Sequence, residues 1–123
     1  MELTRENYNE TAKELLAFFQ NSPYCFHAVK NVKDMLTAAG FTEEYEEESW
    51  ELKAGERYFV TRNQSSVIAF KIPGKDFKGF QIMASHSDSP AFKIKENPEM
   101  EAAHCIKLNV EKYGGMICAP WFD

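Results

Sequence analysis

The sequence lacks the features that mark several classes of protein. Its 14 lysines and arginines form no cluster and are outnumbered by 19 aspartates and glutamates, giving a net charge of −5. Because nucleic-acid backbones attract clustered basic side chains, we expect no nucleic-acid partner. No apolar run approaches the roughly 20 residues that span a bilayer, and residues 1–6 do not resemble a signal peptide. We therefore expect no association with a membrane.

Cysteine is scarce. Cys25, Cys105 and Cys118 are odd in number and widely spaced, which argues against a disulfide framework. No two of them have the C-x-x-C spacing of a structural zinc site. This pattern is typical of a reducing compartment, so we expect a cytoplasmic protein whose cysteines are small buried side chains.

Two common catalytic patterns are also missing. The chain has neither a G-x-S-x-G motif nor a glycine-rich loop that could bind a phosphate. The serine-rich residues 85–89 invite interpretation as a nucleophile site. However, residues that close in sequence do not easily adopt the separated geometry of a catalytic triad, so this interpretation is disfavoured.

Apolar residues make up 44% of the chain and aromatic residues 14%, which is typical of a globular protein. They recur at helical spacing over residues 8–19 and 25–36, and Gly40 follows where a left-handed helix cap is expected. Beyond residue 56 the pattern changes to that of β-strands. The candidate strands are residues 57–62, 66–72, 80–85, 92–96 and 106–113.

This order predicts an α/β fold with two helices followed by about five mostly antiparallel or mixed strands. The first two strands should form a hairpin, and the apolar residues 80–85 should form a central strand. Two helices can cover only part of such a sheet. We therefore expect residues 1–123 to be a segment of something longer.

Five glutamates surround Tyr45 within residues 43–48. They could bind a cation or a basic partner, but contiguous glutamates repel one another and cannot all face one ion. We therefore expect a solvated loop.

The candidate site begins at His86. Because alternate residues of an extended chain point to the same side, His86 and Asp88 can lie together after strand 80–85. A neutral imidazole binds zinc through one nitrogen while the other donates to a carboxylate, and this spacing permits that arrangement. On this local pattern alone, a surface histidine and aspartate at a strand end are the favoured explanation. His27 and His104 have no comparable neighbour, and we expect both to be packed or solvated.

Five motifs in the same order resemble the aspartyl aminopeptidase family of zinc metallopeptidases. Residues 86–90 read His-Ser-Asp-Ser-Pro, where the family has His-Thr-Asp-Ser-Pro. Four further segments are similar to its Ser-Pro-x-x-Phe-His-Ala-Val, Thr-Arg-Asn-x-Ser-x-Ile-Ala-Phe, Val-Glu-x-Tyr-Gly-Gly and Trp-Phe-Asp motifs. They are residues 22–29, 61–70, 110–115 and 121–123.

The resemblance implies that residues 1–123 are the N-terminal part of a metallopeptidase catalytic domain. It implies that His86 is a zinc ligand and that Asp88 belongs to the catalytic site as the carboxylate holding the His86 ring. Family members use two zinc ions, and their other ligands and general base have no counterpart here. The implied activity is removal of N-terminal, acidic residues from peptide substrates by a homo-oligomer.

Three interpretations remain open. The chain could be a portion of such an enzyme that is inactive alone. It could instead be a short, non-catalytic relative that acts as an interaction or assembly module. A complete enzyme that builds its site between subunits, with ligands such as Glu111 and Asp123, is the third.

Overall fold

The computed structural model describes residues 4–74 and 76–121. The chain forms two compact units that divide after Asp88. In the part described, no helix combines the length and the apolar character needed to cross a membrane.

The two predicted helices are confirmed. Helix α1 spans Arg5–Gln20, and Thr4 caps it through a reciprocal capping box with Asn7. Helix α2 spans Cys25–Ala38. Gly40 follows α2 with a φ of 78°. The amide of Gly40 donates to Thr37 and that of Phe41 donates to Leu36, which is the hydrogen-bond pattern of a Schellman cap.

A three-stranded sheet follows the helices. Its strands are β1 (Thr42–Glu44), β2 (Arg57–Arg62) and β3 (Ser66–Lys71), in the order β1-β2-β3. The hairpin of β2 and β3 was predicted and is confirmed, with Arg62 opposite Ser66. Strand β1 pairs parallel to β2 and was not predicted, because it lies in the acidic segment.

The core of the first unit lies on both faces of β2. Tyr58, Phe59 and Val60 are all buried, as expected for a central strand with cover on each side. Helix α2 packs against the sheet and contributes the buried Val29. Phe70 pairs with Tyr58 across the hairpin, and its ring packs against those of Tyr58 and Trp50 with centroids 5.9 and 6.1 Å away. Phe59 and Val29 are the largest fully buried side chains among the described residues.

The acidic segment is more ordered than the sequence indicated. Glu43 lies in β1, and its carboxylate is 2.6 Å from the ammonium of Lys33 on α2. Arg62 donates to both carboxylate oxygens of Glu46, at 2.7 to 3.1 Å. The expectation of a wholly solvated loop is therefore wrong, since two of these glutamates pair with basic side chains of the same chain.

We predict that the Glu46–Arg62 pair makes part of the stability of this unit dependent on pH. The Arg62 hydrogen bonds are the main cause that lowers the pKa of Glu46; desolvation opposes them, and the charge of Arg62 adds to them. A lowered pKa means that the folded state binds the proton less readily than the unfolded state. The stability contributed by this pair is therefore fully present at pH values above the ordinary glutamate pKa. It is lost as the pH falls through the lowered pKa of Glu46.

This prediction can be checked by an NMR titration of the Glu46 carboxyl carbon. Arg62→Gln should raise the pKa of Glu46 towards its ordinary value. Lys30→Gln is the matched control, because Lys30 pairs with Asp34 on α2 instead. An unchanged Glu46 pKa in Arg62→Gln would show that the pair is not formed in solution.

The predicted central strand at residues 80–85 is absent. The structure assigns no strand there, and Ile82 and Met83 are 84% and 100% exposed. The apolar sequence was read correctly, but a strand also needs a neighbour for its backbone hydrogen bonds. Within residues 4–74 and 76–121 no strand pairs with this segment.

The second unit is built on one long hairpin. Strands β4 (Phe92–Ala102) and β5 (Cys105–Lys112) are antiparallel, with an irregularity between Ile94 and Glu99. The sequence predicted that the first of these strands ends at residue 96, whereas it continues to Ala102. In the structure the irregularity accommodates Pro98, and pairing resumes at Glu99. A short 3₁₀ helix, Ala119–Trp121, follows the hairpin, and Phe122 and Asp123 lie outside the described residues.

Candidate metal-ligand segment

The structure brings the two predicted site residues into contact. The Nδ1 atom of His86 lies 3.2 Å from the carboxylate Oδ1 of Asp88 and 2.7 Å from the backbone carbonyl oxygen of the same residue. The shorter contact is thus to the main chain. The sequence indicated the Asp88 carboxylate but not its backbone carbonyl, because every residue has such a carbonyl and the residue type does not show which one is used.

These two contacts define the tautomer of the imidazole. A carbonyl oxygen and an ionised carboxylate can only accept a hydrogen bond, so Nδ1 must carry the proton. In the neutral ring the lone pair then belongs to Nε2. Nδ1 donating to a carbonyl or carboxylate is the arrangement that orients a histidine whose Nε2 binds a metal.

His86 is open to solvent on its outer side. Its side chain is 80% exposed, whereas that of Asp88 is 40% exposed. The ring is therefore held from its Nδ1 side and accessible elsewhere. The segment that carries it comes after residues 80–85 and not after a paired strand, so the sheet does not orient His86 directly.

A second contact holds the segment in place. The hydroxyl of Ser87 donates to the carbonyl oxygen of Ser65, 2.8 Å away, in the turn between β2 and β3. Sequence reasoning missed this bond. Ser87 had been considered only as a nucleophile, and no sequence pattern indicates that residues 22 positions apart will meet.

The donor set fits one ligand of a zinc site but not a complete site. His86 offers a single nitrogen in the appropriate tautomer, whereas a catalytic zinc normally needs three protein ligands. Over residues 4–74 and 76–121 there is no group of three or more histidine, cysteine or acidic side chains that could hold a metal ion. Further ligands would have to come from outside the described residues.

The other histidines and the cysteines lie elsewhere. His27 is on α2, with its ring 6.5 Å from that of Tyr24, and His104 lies in the turn between β4 and β5 with a φ of 65°. The three cysteines are free, as predicted. The prediction that they are buried is wrong, because Cys105 is exposed and the other two are only partly covered.

The chain is similar to known aminopeptidases along most of its length. It is 49% identical over 122 residues to a protein of Clostridium acetobutylicum described as a probable M18 family aminopeptidase 2. The match covers 96% of this chain and 28% of the relative. The chain thus spans about a quarter of the length of that relative.

Two solved structures have the same fold over this region. A chain in a cryo-electron microscopy structure of the Ape4 and Nbr1 complex is 39% identical, with a TM-score of 0.87. That match covers 100% of this chain and 25% of the solved one. A structure of the S. cerevisiae mApe1 dodecamer is 26% identical with a TM-score of 0.76, covering 90% of this chain and 27% of the other.

A family model confirms the resemblance found in the sequence motifs. The model describes aminopeptidase I zinc metalloproteases, and it matches residues 18–123. This range includes the last three residues of α1, all of α2, both hairpins and the His86 segment. The chain belongs to the M18 family of aminopeptidase I zinc metalloproteases.

Proposed function

We propose that this chain supplies the first metal-binding segment of an M18 aminopeptidase, in which His86 binds zinc through Nε2. Asp88 holds the ring from the Nδ1 side with its carboxylate and its backbone carbonyl. When bound, zinc would supply Lewis acidity towards the scissile carbonyl and the attacking water. The chain's own contribution is to fix the tautomer and the direction of one ligand.

The observation that carries this proposal is the pair of contacts at His86 Nδ1, 2.7 and 3.2 Å long. They leave Nε2 as the free lone pair in a segment that matches a zinc metalloprotease family. A surface histidine with no role would need no such orientation. Residues 1–123 would accordingly form the N-terminal part of the catalytic domain.

The finer features of the activity follow as proposals. The resemblance to aspartyl aminopeptidases favours two zinc ions and peptides with acidic N-terminal residues. The dodecameric state named for the yeast structure supports homo-oligomeric assembly of the protein that contains this segment. The free cysteines favour a cytoplasmic location.

An aminopeptidase assay tests the proposal. The 123-residue chain would be compared with a chimera in which it replaces the matching segment of the Clostridium acetobutylicum relative. Chromogenic substrates with N-terminal Asp, Glu and Leu would be used with added zinc. The chimera should hydrolyse the acidic substrates fastest, whereas the chain alone should show no turnover because it offers one ligand.

Two outcomes would contradict the proposal. Metal-dependent turnover by the chain alone would mean that it completes a site by itself or between copies. A folded, zinc-free and inactive chimera, beside an active parent relative, would favour the alternative of a non-catalytic assembly module.

A further inference from the structure

The hydroxyl of Ser87 connects the His86 segment to the sheet. Its Oγ donates to the carbonyl oxygen of Ser65 at 2.8 Å. Among the residues that the structure describes, this is the one hydrogen bond that joins residues 76–88 to the three-stranded sheet. The residues on either side, His86 and Asp88, are bonded to each other. Ser87 therefore connects this segment to the β2–β3 turn.

The acceptor lies in a well-defined turn. Asn63 and Gln64 both have positive φ values, 51° and 55°, as the tight turns of β-hairpins require. The amide of Ser65 donates to the carbonyl of Arg62 at 3.1 Å and closes the turn. Arg62 is itself held by its paired hydrogen bonds to Glu46. The Ser65 carbonyl is thus presented from a fixed position.

The segment needs such a fixed point because little else restrains it. Its apolar residues are exposed, with Ile82 at 84% and Met83 at 100%, and it pairs with no strand within the described residues. Each freely rotating residue near His86 would add conformational entropy that a metal must remove on binding. A ligand side chain that is already held in its metal-binding orientation loses less conformational entropy when the metal binds.

We propose that Ser87 is a positioning residue, whose hydrogen bond to Ser65 holds residues 86–88 against the β2–β3 turn. This keeps His86 Nδ1 hydrogen-bonded to Asp88 and directs Nε2 towards a zinc ion. The inference rests on the proposed role of His86 as a ligand. It assigns the hydroxyl of Ser87 a structural task towards the metal and no part in the chemical step.

A nucleophilic role for Ser87 does not fit the same contacts. A serine nucleophile passes its proton to a base such as a neutral histidine nitrogen. The Ser87 proton instead points at a backbone carbonyl, and the Nδ1 atom of the neighbouring His86 is already a donor to Asp88. The hydroxyl is therefore used as an anchor.

The test uses the 123-residue chain labelled with ¹⁵N, at an alkaline pH where the imidazole is neutral. Long-range ¹H–¹⁵N spectra report the tautomer of His86, and a titration with zinc chloride gives the affinity of its Nε2. The variants are Ser87→Ala, which removes the hydroxyl, and Ser87→Thr, which keeps it. Ser85→Ala is the matched control, because no hydrogen bond of the Ser85 hydroxyl is present in the described structure.

The wild type, Ser87→Thr and Ser85→Ala should all show His86 protonated at Nδ1. Ser87→Ala should show a mixture of both tautomers. Its dissociation constant for zinc should rise by roughly 3- to 10-fold, the range expected for loss of one neutral hydrogen bond. Amide signals of Asn63 and Ser65 should move in Ser87→Ala and remain in place in the control.

A Ser87→Ala chain with an unchanged tautomer and zinc affinity would overturn the inference. An equal loss in Ser85→Ala, or a Ser87→Thr chain that behaves like Ser87→Ala, would overturn it as well. If Ser87→Ala fails to fold, Ser87→Cys replaces it, because a thiol is only a weak hydrogen-bond donor and the same mixture of tautomers and loss of zinc affinity are expected. The tautomer is measured without metal, so it tests the role of Ser87 separately from the zinc-binding role of His86, which is tested in the chimera.

Discussion

Replacing His86 with alanine in the chimera is expected to abolish zinc retention at that position and to lower aminopeptidase activity by more than about 100-fold. Loss of a group that merely orients a metal ligand typically costs 10- to 100-fold in affinity or activity, so loss of the ligand itself should exceed that range. Zinc content by mass spectrometry and kcat/KM on an N-terminal Asp substrate measure the two effects.

His27→Ala provides the matched control for this variant. His27 lies on α2 and packs beside Tyr24, and alanine is well tolerated in a helix. It should leave zinc content and kcat/KM within about twofold of the parent chimera, as expected for a surface substitution. Equal losses in both variants would show that His86→Ala acts through folding, and full activity in His86→Ala would remove His86 from the site.

The second large effect concerns the core of the first unit. Phe59 is 1% exposed at the centre of β2. Phe59→Ala should lower the free energy of unfolding by about 3–5 kcal/mol, through lost burial and the cavity that remains. Because small domains are stable by only about 5–15 kcal/mol, this loss is a large fraction of the total and should move the urea midpoint to a clearly lower concentration. Urea denaturation followed by circular dichroism measures the change.

Two exposed positions serve as controls for Phe59. Phe26 is 57% exposed at the start of α2, so Phe26→Ala should change the free energy of unfolding by less than about 0.5 kcal/mol. Ile82→Ala should have an equally small effect, because Ile82 is 84% exposed. A loss of about 2–5 kcal/mol in Ile82→Ala would instead show that residues 80–85 form the buried strand that the sequence predicted.

The local elements were predictable because their signals are local. Helix α2 follows from its apolar spacing, and Gly40 marked its end because a left-handed cap favours glycine. The β2–β3 hairpin followed from two β-rich runs around a short polar turn. The family motifs at residues 22–29 and 86–90 added the identity of the site, which spacing alone did not establish.

The parts that were missed depend on neighbours distant in sequence. Strand β1 lies among glutamates, and it forms because Glu43 reaches Lys33 on α2 while β2 supplies its backbone partners. Residues 80–85 were assigned to a strand from composition, but the described chain supplies no partner. The Ser87–Ser65 bond likewise arises only after the hairpin has formed, so no periodicity could reveal it.

The proposed role of His86 is to bind zinc through Nε2 while Asp88 holds Nδ1. Anomalous diffraction at the zinc edge, from crystals of the zinc-loaded chimera, locates the metal relative to both ring nitrogens. We expect a zinc peak about 2.0–2.1 Å from His86 Nε2, with Nδ1 still hydrogen-bonded to Asp88. A zinc ion bound to Nδ1, or a fully loaded site that leaves His86 without metal, would contradict it.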